Sequence, residues 1–440
     1  MASITSLAPI LQQYLSGTAE QVARAHGCVQ RVRQFSGATL IQTLVLGFLE
    51  APDASLSELC HLAAVRGVSI TPQGLAQRFT PALTASLHEL LTTLVTEVVV
   101  GPAVRIPLLQ RFTHVWVLDT TTVTLPDALA ELWSGCGGNA GQGQAALKIA
   151  VELDLVTGQL AGPLLQAGRA PDRASPLSRR GHAPGSLTIR DLGFFRLASL
   201  HQASVHDEAW LTRLMANTIL FTSDGQRWTQ PALLAAQSGQ VVDLPVLLGA
   251  TARVPARLLA VRVPPQIAST RRERLHREAS KKCQPVSADR LALADWTVLV
   301  TNVGTADLSL DEAMALIRAR WQIEQLFDVW KTHGGLDRSR SSQPWRVLAE
   351  FYAKLIAVVI QHWLILHGDW AAPGHSLSKA ARIVRKTVRE LATAIDRIGR
   401  LRDVLRRLGR LLAHAGRLNP RKRHPNTYQR LLDPAGTSLT

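Results

Sequence analysis

At 440 residues the chain is too long for one ordinary core, and its 46% hydrophobic composition leaves ample material for two or more folded units. The four cysteines, Cys28, Cys60, Cys136 and Cys283, lack any CxxC or finger-like spacing, and there is no HExxH, which excludes a disulfide framework and a zinc site and fits a reducing compartment. A net charge of +16 and a pI near 10.7 point to a polyanionic partner, nucleic acid before acidic lipid.

Residues 1–108 read as helical, with apolar spacing of three and four through Leu40, Leu44, Leu46 and Phe48. The opening MASITSLAPILQQYLSG lacks the basic start and long apolar run of a signal peptide, so a cytoplasmic protein is expected. Ser55-Leu56-Ser57-Glu58 is a capping box for a helix running to Arg66-Gly67, and Thr71-Pro72 opens a short helix through Gln73, Gln77 and Arg78 to Phe79. Such a pair over 55–79 suits a helix-turn-helix that presents Gln73 and Arg78 to a DNA major groove. It suits an ordinary helical bundle equally well.

From about 109 the period changes to strands. His114–Asp119 reads as a strand ending on a carboxylate, with Thr120, Thr121 and Thr122 after it. A glycine-rich loop, Ser134 to Gly143, is not closed by GK[ST] and so is no phosphate-cradling loop. It leads into Ala145–Asp154, a Thr157-Gly158 turn and Gln159–Gln166, an expected three-strand antiparallel meander. Ser186–Asp191 is a short apolar strand ending on a second carboxylate, which puts both aspartates on one rim of a sheet; a lone aspartate there is more often a turn-former. A helix is expected around Asp207 to Ala216. Residues 222–295 then break into short β-like runs, Gln240–Leu244 and Ala256–Val263, beside a basic stretch, Arg271–Arg277. Trp296–Asn302 is another buried strand.

The strand feeds a helix through Ile317–Lys331 with two faces. At about 100° per residue, Leu316, Ile323, Phe327 and Trp330 share one arc, while Arg320, Glu324 and Lys331 share a neighbouring one about 40° wide. One carboxylate therefore lies between two cations beside the core. The bland reading is an ion pair on a solvated helix, worth a few tenths of a kcal/mol. Further on, Phe351–Leu366 is the most apolar stretch, but Lys354, Gln361 and His362 interrupt it, so no membrane span is expected. From Lys379 to Arg430 sixteen lysines and arginines face only Glu390, Asp396 and Asp403, so this tail holds +13 of the net charge.

Arg, three residues, Glu, six residues, Lys, embedded in R-W-Q-I-E, resembles the signature helix of the IS-four family of bacterial DDE transposases. The pattern in that family carries a Tyr where this chain has Ile317. The resemblance covers roughly 110–370 and carries over residue by residue. Asp119 in L-D-T-T-T, Asp191 in R-D-L-G-F-F and Glu324 match the catalytic, metal-holding carboxylates. Arg320 and Lys331 match the phosphate-contacting cations. Trp296, opening W-T-V-L-V-T, matches a tryptophan that stacks on a flipped base; without the resemblance it reads as a core aromatic.

The resemblance implies an α/β fold, a ribonuclease-H-like mixed sheet core interrupted by a β-rich insertion, with helical N-terminal and C-terminal regions. The parts would be 1–108 for DNA binding, 109–221 and 296–370 for the core, 222–295 for the insertion and 371–440 for a basic helical end. It implies two Mg²⁺ ions, with Mn²⁺ able to substitute. It also implies a homodimer in a synaptic complex on the terminal inverted repeats of its own element and on target DNA, with no membrane partner and with nucleoid association when DNA-bound. Two rivals stay open: a DNA-binding regulator or domesticated protein whose acidic triad is a relic, and a plain nuclease of the same core.

Overall fold

The computed structural model describes residues 4–29, 34–137, 143–281, 283–372, 374–418 and 425–435. The middle of the glycine-rich loop and residues 419–424 of the basic tail lie outside the described residues. The chain divides into two compact units, one of Met1–Gln110, Asp119–Leu177 and Trp321–Gln429, the other of Arg111–Leu118, Ser178–Arg320 and Arg430–Thr440.

The first unit is a helical assembly built on local signals that the sequence states plainly. The helices Gly37–Glu50, Leu56–Val65, Pro72–Ala76 and Pro81–Leu94 each start on a Ser or Thr whose hydroxyl accepts a backbone N–H three residues on. At Ser55 the capping box with Glu58 is complete. The 26-residue helix Pro344–Asp369 is the centre of the unit. It packs against Gly37–Glu50, Pro81–Leu94, Leu377–Ala394 and Ile398–Ala415. Its apolar length is buried by these neighbours rather than offered to lipid. Gly368 permits the close approach of the last of them, because a Cβ there would run into Leu412.

Strands β1 (Val115–Leu125), β2 (Ala145–Asp154) and β3 (Leu160–Ala167) contribute the order β3-β2-β1 to this unit. β2 and β3 are antiparallel, with a register shift between Ala150 and Glu152. Gly158, at φ +71°, makes their turn in a conformation that only glycine adopts without strain. His362 of the central helix hydrogen-bonds the Gly158 carbonyl through Nε2 at 2.7 Å, tying the hairpin to the bundle.

The second unit carries the first four residues of β1 with β4 (Leu187–Arg190), β5 (Ala209–Arg213), β6 (Leu220–Phe221), β7 (Arg227–Trp228), β8 (Val241–Leu248), β9 (Val254–Arg262) and β10 (Trp296–Thr301). Their order is β1-β4-β5-β10-β9-β8-β6-β7. β1, β4 and β5 are parallel, and every later pairing is antiparallel. Trp210, Leu220, Leu248, Leu258, Trp296 and Val300 fill the core beneath. β10 lies between β5 and β9, so the inserted strands prolong the sheet instead of folding apart from it. This is the mixed-sheet, ribonuclease-H-like α/β fold that the order of elements implies, with helical regions towards both ends.

Four local expectations are corrected. β1 does not stop at Asp119 but continues to Leu125, because Thr120–Thr122 are β-branched and favour an extended pleat. The segment expected as a helix around Asp207 to Ala216 holds strand β5; the helix precedes it at Leu197–Val205, and Asp207 makes the turn at φ +57°. The basic stretch Arg271–Arg277 lies within a 17-residue helix, Pro265–Lys281. The helix expected through Ile317–Lys331 is two, Leu310–Ala319 and Trp321–Thr332, divided at Arg320. Arg320 keeps helical angles, φ −51° and ψ −31°, so a count of 100° per residue runs through the break unaware of it.

Candidate active site

In the second unit the parallel register of β1 and β4 sets Leu118 opposite Arg190. Asp119, which opens the first unit's part of β1, follows Leu118, and Asp191 of the second unit follows Arg190; each is half-buried. Asp191 leaves the strand at φ −83°, ψ 168° and opens the short turn Leu192–Phe194, where its carbonyl accepts the Phe194 N–H at 3.0 Å.

In the first unit Glu324 occupies the first turn of Trp321–Thr332 and is half-buried. The helix is fixed by its inner face, where Ile323, Phe327 and Trp330 are 0%, 5% and 1% exposed, as the apolar arc requires. Lys331 donates from Nζ to the Thr122 carbonyl at 3.2 Å. The helix bearing Glu324 is thus fastened to the strand bearing Asp119, three residues past that aspartate. Seven residues separate Glu324 from Lys331, about 10 Å along the axis at 1.5 Å each.

Next to Asp119 lies a group that the sequence did not single out. Thr120 donates from Oγ1 to Asp172 Oδ1 at 2.8 Å, and Lys148 donates from Nζ to the same oxygen at 2.7 Å and to the Ala170 carbonyl at 2.5 Å. Burial pushes the Asp172 carboxyl up, but the hydrogen bonds from Lys148 and Thr120 and the Lys148 charge outweigh it and hold the group below the usual carboxylate range. The signal was a lone lysine in the apolar run A-A-L-K-I-A-V. Its partner lies 24 residues away, beyond any periodicity.

The remaining expected residues are spread over both units. Arg320 is half-buried between its two helices. Trp296 is only 7% exposed, inside the core of the second unit, with the Arg262 guanidinium 4.9 Å from its ring centroid. As placed it acts as a core aromatic, and stacking on a base requires the start of β10 to open. Gln73 is exposed and Arg78 half-buried beside the five-residue helix Pro72–Ala76. The second unit also holds a cavity of about 740 Å³ lined by Arg179, Arg180, His182, Arg190, Arg196 and Glu208. Arg180 lies 4.6 Å over the Trp116 ring there. The sequence signal was S-R-R-G-H at 178–182, just ahead of the second aspartate's strand.

Among the described residues no three His, Cys, Asp or Glu side chains are gathered closely enough to hold a metal ion. The donor chemistry nonetheless suits hard divalent cations, since half-buried carboxylates give oxygen ligands and leave room for water.

A profile described as the Transposase DDE domain matches residues 110–360, more than half of the chain, and spans Asp119, Asp191 and Glu324. The chain belongs to the DDE transposase family. This transposase is 26% identical over 372 residues to the transposase for insertion sequence element IS231F of Bacillus thuringiensis subsp. israelensis, covering 80% of this chain and 78% of that protein. It is 27% identical over 375 residues to the transposase for element IS231E of Bacillus thuringiensis subsp. finitimus, covering 80% and 77%. With the transposase for element IS1151 of Clostridium perfringens the identity is 20% over 273 residues, 58% and 57% of the two chains. The transposase is accordingly an enzyme that acts on DNA, and the domain's chemistry uses divalent metal. Neither a non-catalytic regulator nor a plain nuclease draws support from these relatives.

Proposed function

We propose that this transposase moves an insertion sequence by cutting the element free at its terminal inverted repeats and joining the 3′ ends to target DNA, with Asp119, Asp191 and Glu324 as the carboxylates of the reaction. The observation that carries the reading is the β1/β4 register, in which Leu118 faces Arg190 and the next residue of each chain is an aspartate. The Lys331–Thr122 hydrogen bond supports the place of Glu324, because it fastens the third carboxylate's helix to β1.

Asp119, Asp191 and Glu324 would hold two Mg²⁺ ions, which when bound supply an activated water or 3′-hydroxyl and a stabilised leaving oxygen at phosphorus. The chain's own residues do the rest. Arg320 and Lys331 flank Glu324 in sequence and hold the phosphates that three carboxylates would otherwise repel, Arg with a planar fork and Lys as a point charge. The Lys331 ammonium has two further protons for a phosphate while it donates one to Thr122. Gln73 and Arg78 are proposed as DNA contacts of the N-terminal helices, and the working form is a cytoplasmic homodimer that brings two ends together.

The test uses the full chain, duplex DNA ending in the inverted repeats that flank its gene, and MgCl₂. Cleavage followed by strand transfer is expected, and binding without cutting, or cutting without joining, would replace this reading with the regulator or the nuclease.

A further inference from the structure

We propose that the outward face of the Ile398–Ala415 helix is a sequence-independent docking surface for the phosphate backbone of duplex DNA; this rests on the transposase reading and adds a contact to it. The sequence leaves two uses for this basic, leucine-bearing segment, DNA binding and dimerisation through its apolar stripe. The structure separates them. Leu401, Val404, Leu405, Leu408 and Leu412 are 0–5% exposed and pack into the first unit, so the apolar stripe is already occupied. What remains outside is mostly arginine, five against the single carboxylate of Asp403 on the same arc.

Taken at about 100° per residue, the buried side chains fill one arc about 100° wide, and Arg400, Arg402, Arg406, Arg407 and Arg410 fill the opposite arc of about 160°. All five are exposed. Arg406 pairs with Asp403 at 2.7 Å and Arg407 with Glu390 at 2.6 Å, while Arg400, Arg402 and Arg410 have no partner among the described residues. Next to it in the bundle, the Leu377–Ala394 helix exposes Arg382, Lys386 and Arg389.

A merely solvated face would interleave both signs of charge, which stabilises a helix. Here Arg402/Arg406, Arg406/Arg410 and Arg407/Arg410 are like charges three or four apart, an arrangement that weakens the isolated helix. A polyanion laid along the face reverses that sign. Guanidinium in place of ammonium suits phosphate oxygens, which its fork engages in pairs. The reach is also adequate: eighteen residues span about 27 Å, roughly eight base pairs at 3.4 Å each.

Removing the whole segment is the wrong experiment, because Leu377–Ala394 and Ile398–Ala415 both pack on the central helix and the unit would lose its core. The full chain is instead made as the triple variant Arg400→Gln, Arg402→Gln, Arg410→Gln, which breaks no ion pair among the described residues. Binding to a 30-base-pair duplex unrelated to the element is followed by fluorescence anisotropy from 0.05 to 0.2 M KCl, with the melting temperature as a check on folding. Each phosphate contact contributes about 0.9 to the slope of log K against log salt. Loss of three should therefore lower the slope by about 2.7, and the fall in affinity over that salt range should shrink by roughly 40-fold. An unchanged slope with an unchanged melting temperature overturns the proposal, and so does a variant that keeps its DNA slope while losing affinity for phosphatidylserine vesicles. If the parent chain cuts and joins its own ends but the slope does not move, only this proposal fails. If the parent neither binds nor cuts DNA, the transposase reading fails with it.

Discussion

His362 offers a perturbation whose size follows from the structure. The ring is fully buried in the central helix of the first unit; Nε2 donates to the Gly158 carbonyl at 2.7 Å, and Nδ1 has no hydrogen-bond partner among the described residues. Burial lowers its pKa to about 4, against an ordinary value of 6.5, and the bond to Gly158 only partly opposes this. The folded state thus keeps the ring neutral where the unfolded chain protonates it. The contribution is fully present above pH 6.5 and is lost as the pH falls from there towards 4. Between pH 7 and pH 5 the loss is about 2 kcal/mol, with a slope near 1.2 kcal/mol per pH unit at pH 5.5. The variant His362→Gln keeps an N–H donor for Gly158 and cannot titrate. Its stability deficit relative to the parent should therefore shrink by about 2 kcal/mol from pH 7 to pH 5, or about 2 °C in melting temperature for a 440-residue chain. The comparison cancels the other titrating groups: His88 and His333 are also lowered by burial, and so is His375, to about 4, which feels the His362 charge only once that ring protonates, below the range compared, while Asp172, Glu20 and Glu312 lose stability only in the acid range below their ordinary carboxylate values. Parallel melting curves for the two proteins across that pH range would refute the reasoning, because the ring would then be protonating as readily folded as unfolded.

Asp119→Asn, Asp191→Asn and Glu324→Gln should each abolish strand cleavage in MgCl₂ and leave gel-shift affinity for the element's ends within a few-fold, and a variant that still nicks at parental rate removes that residue from the site. Ile317, half-buried on Leu310–Ala319, stands where the family pattern has Tyr; Ile317→Tyr should raise the end-cleavage rate several-fold, up to about tenfold for one regained hydrogen bond, whereas a lower melting point with no gain in rate means the ring has overpacked the core. Lys354 is 2% exposed and donates to the Gly335 and Arg338 carbonyls at 3.2 and 2.7 Å; Lys354→Met should cost about 1–3 kcal/mol per carbonyl left unpaired, read as a drop in urea midpoint. Gly368→Val should separate the central helix from Ile398–Ala415 and lower stability by about 1–3 kcal/mol, checked by thermal unfolding, since even a Cβ there meets Leu412.

The sequence alone determined what local rules govern. Caps at Ser55 and Thr71 announce their helices because the orphan N–H groups of a first turn need an oxygen within three residues. The apolar arc through Ile323, Phe327 and Trp330 marks a buried face because burial repeats with the helical period. The order of Asp119, Asp191 and Glu324 among strands and helices carries the family. Tertiary structure decided the rest. Whether β1 stops at Asp119 depends on its neighbours in the sheet, and whether residues 209–213 pair as β5 depends on a slot between β4 and β10, contacts that no window of sequence contains. The Lys148–Asp172 pair, the Lys331 bond to Thr122 and the burial of Trp296 arise from residues brought together across long separations. The same holds for the basic C-terminal helix. Its charge was countable from the sequence, but only packing fixed which side faces out, because an amphipathic helix specifies two faces and the rest of the fold chooses which one to cover.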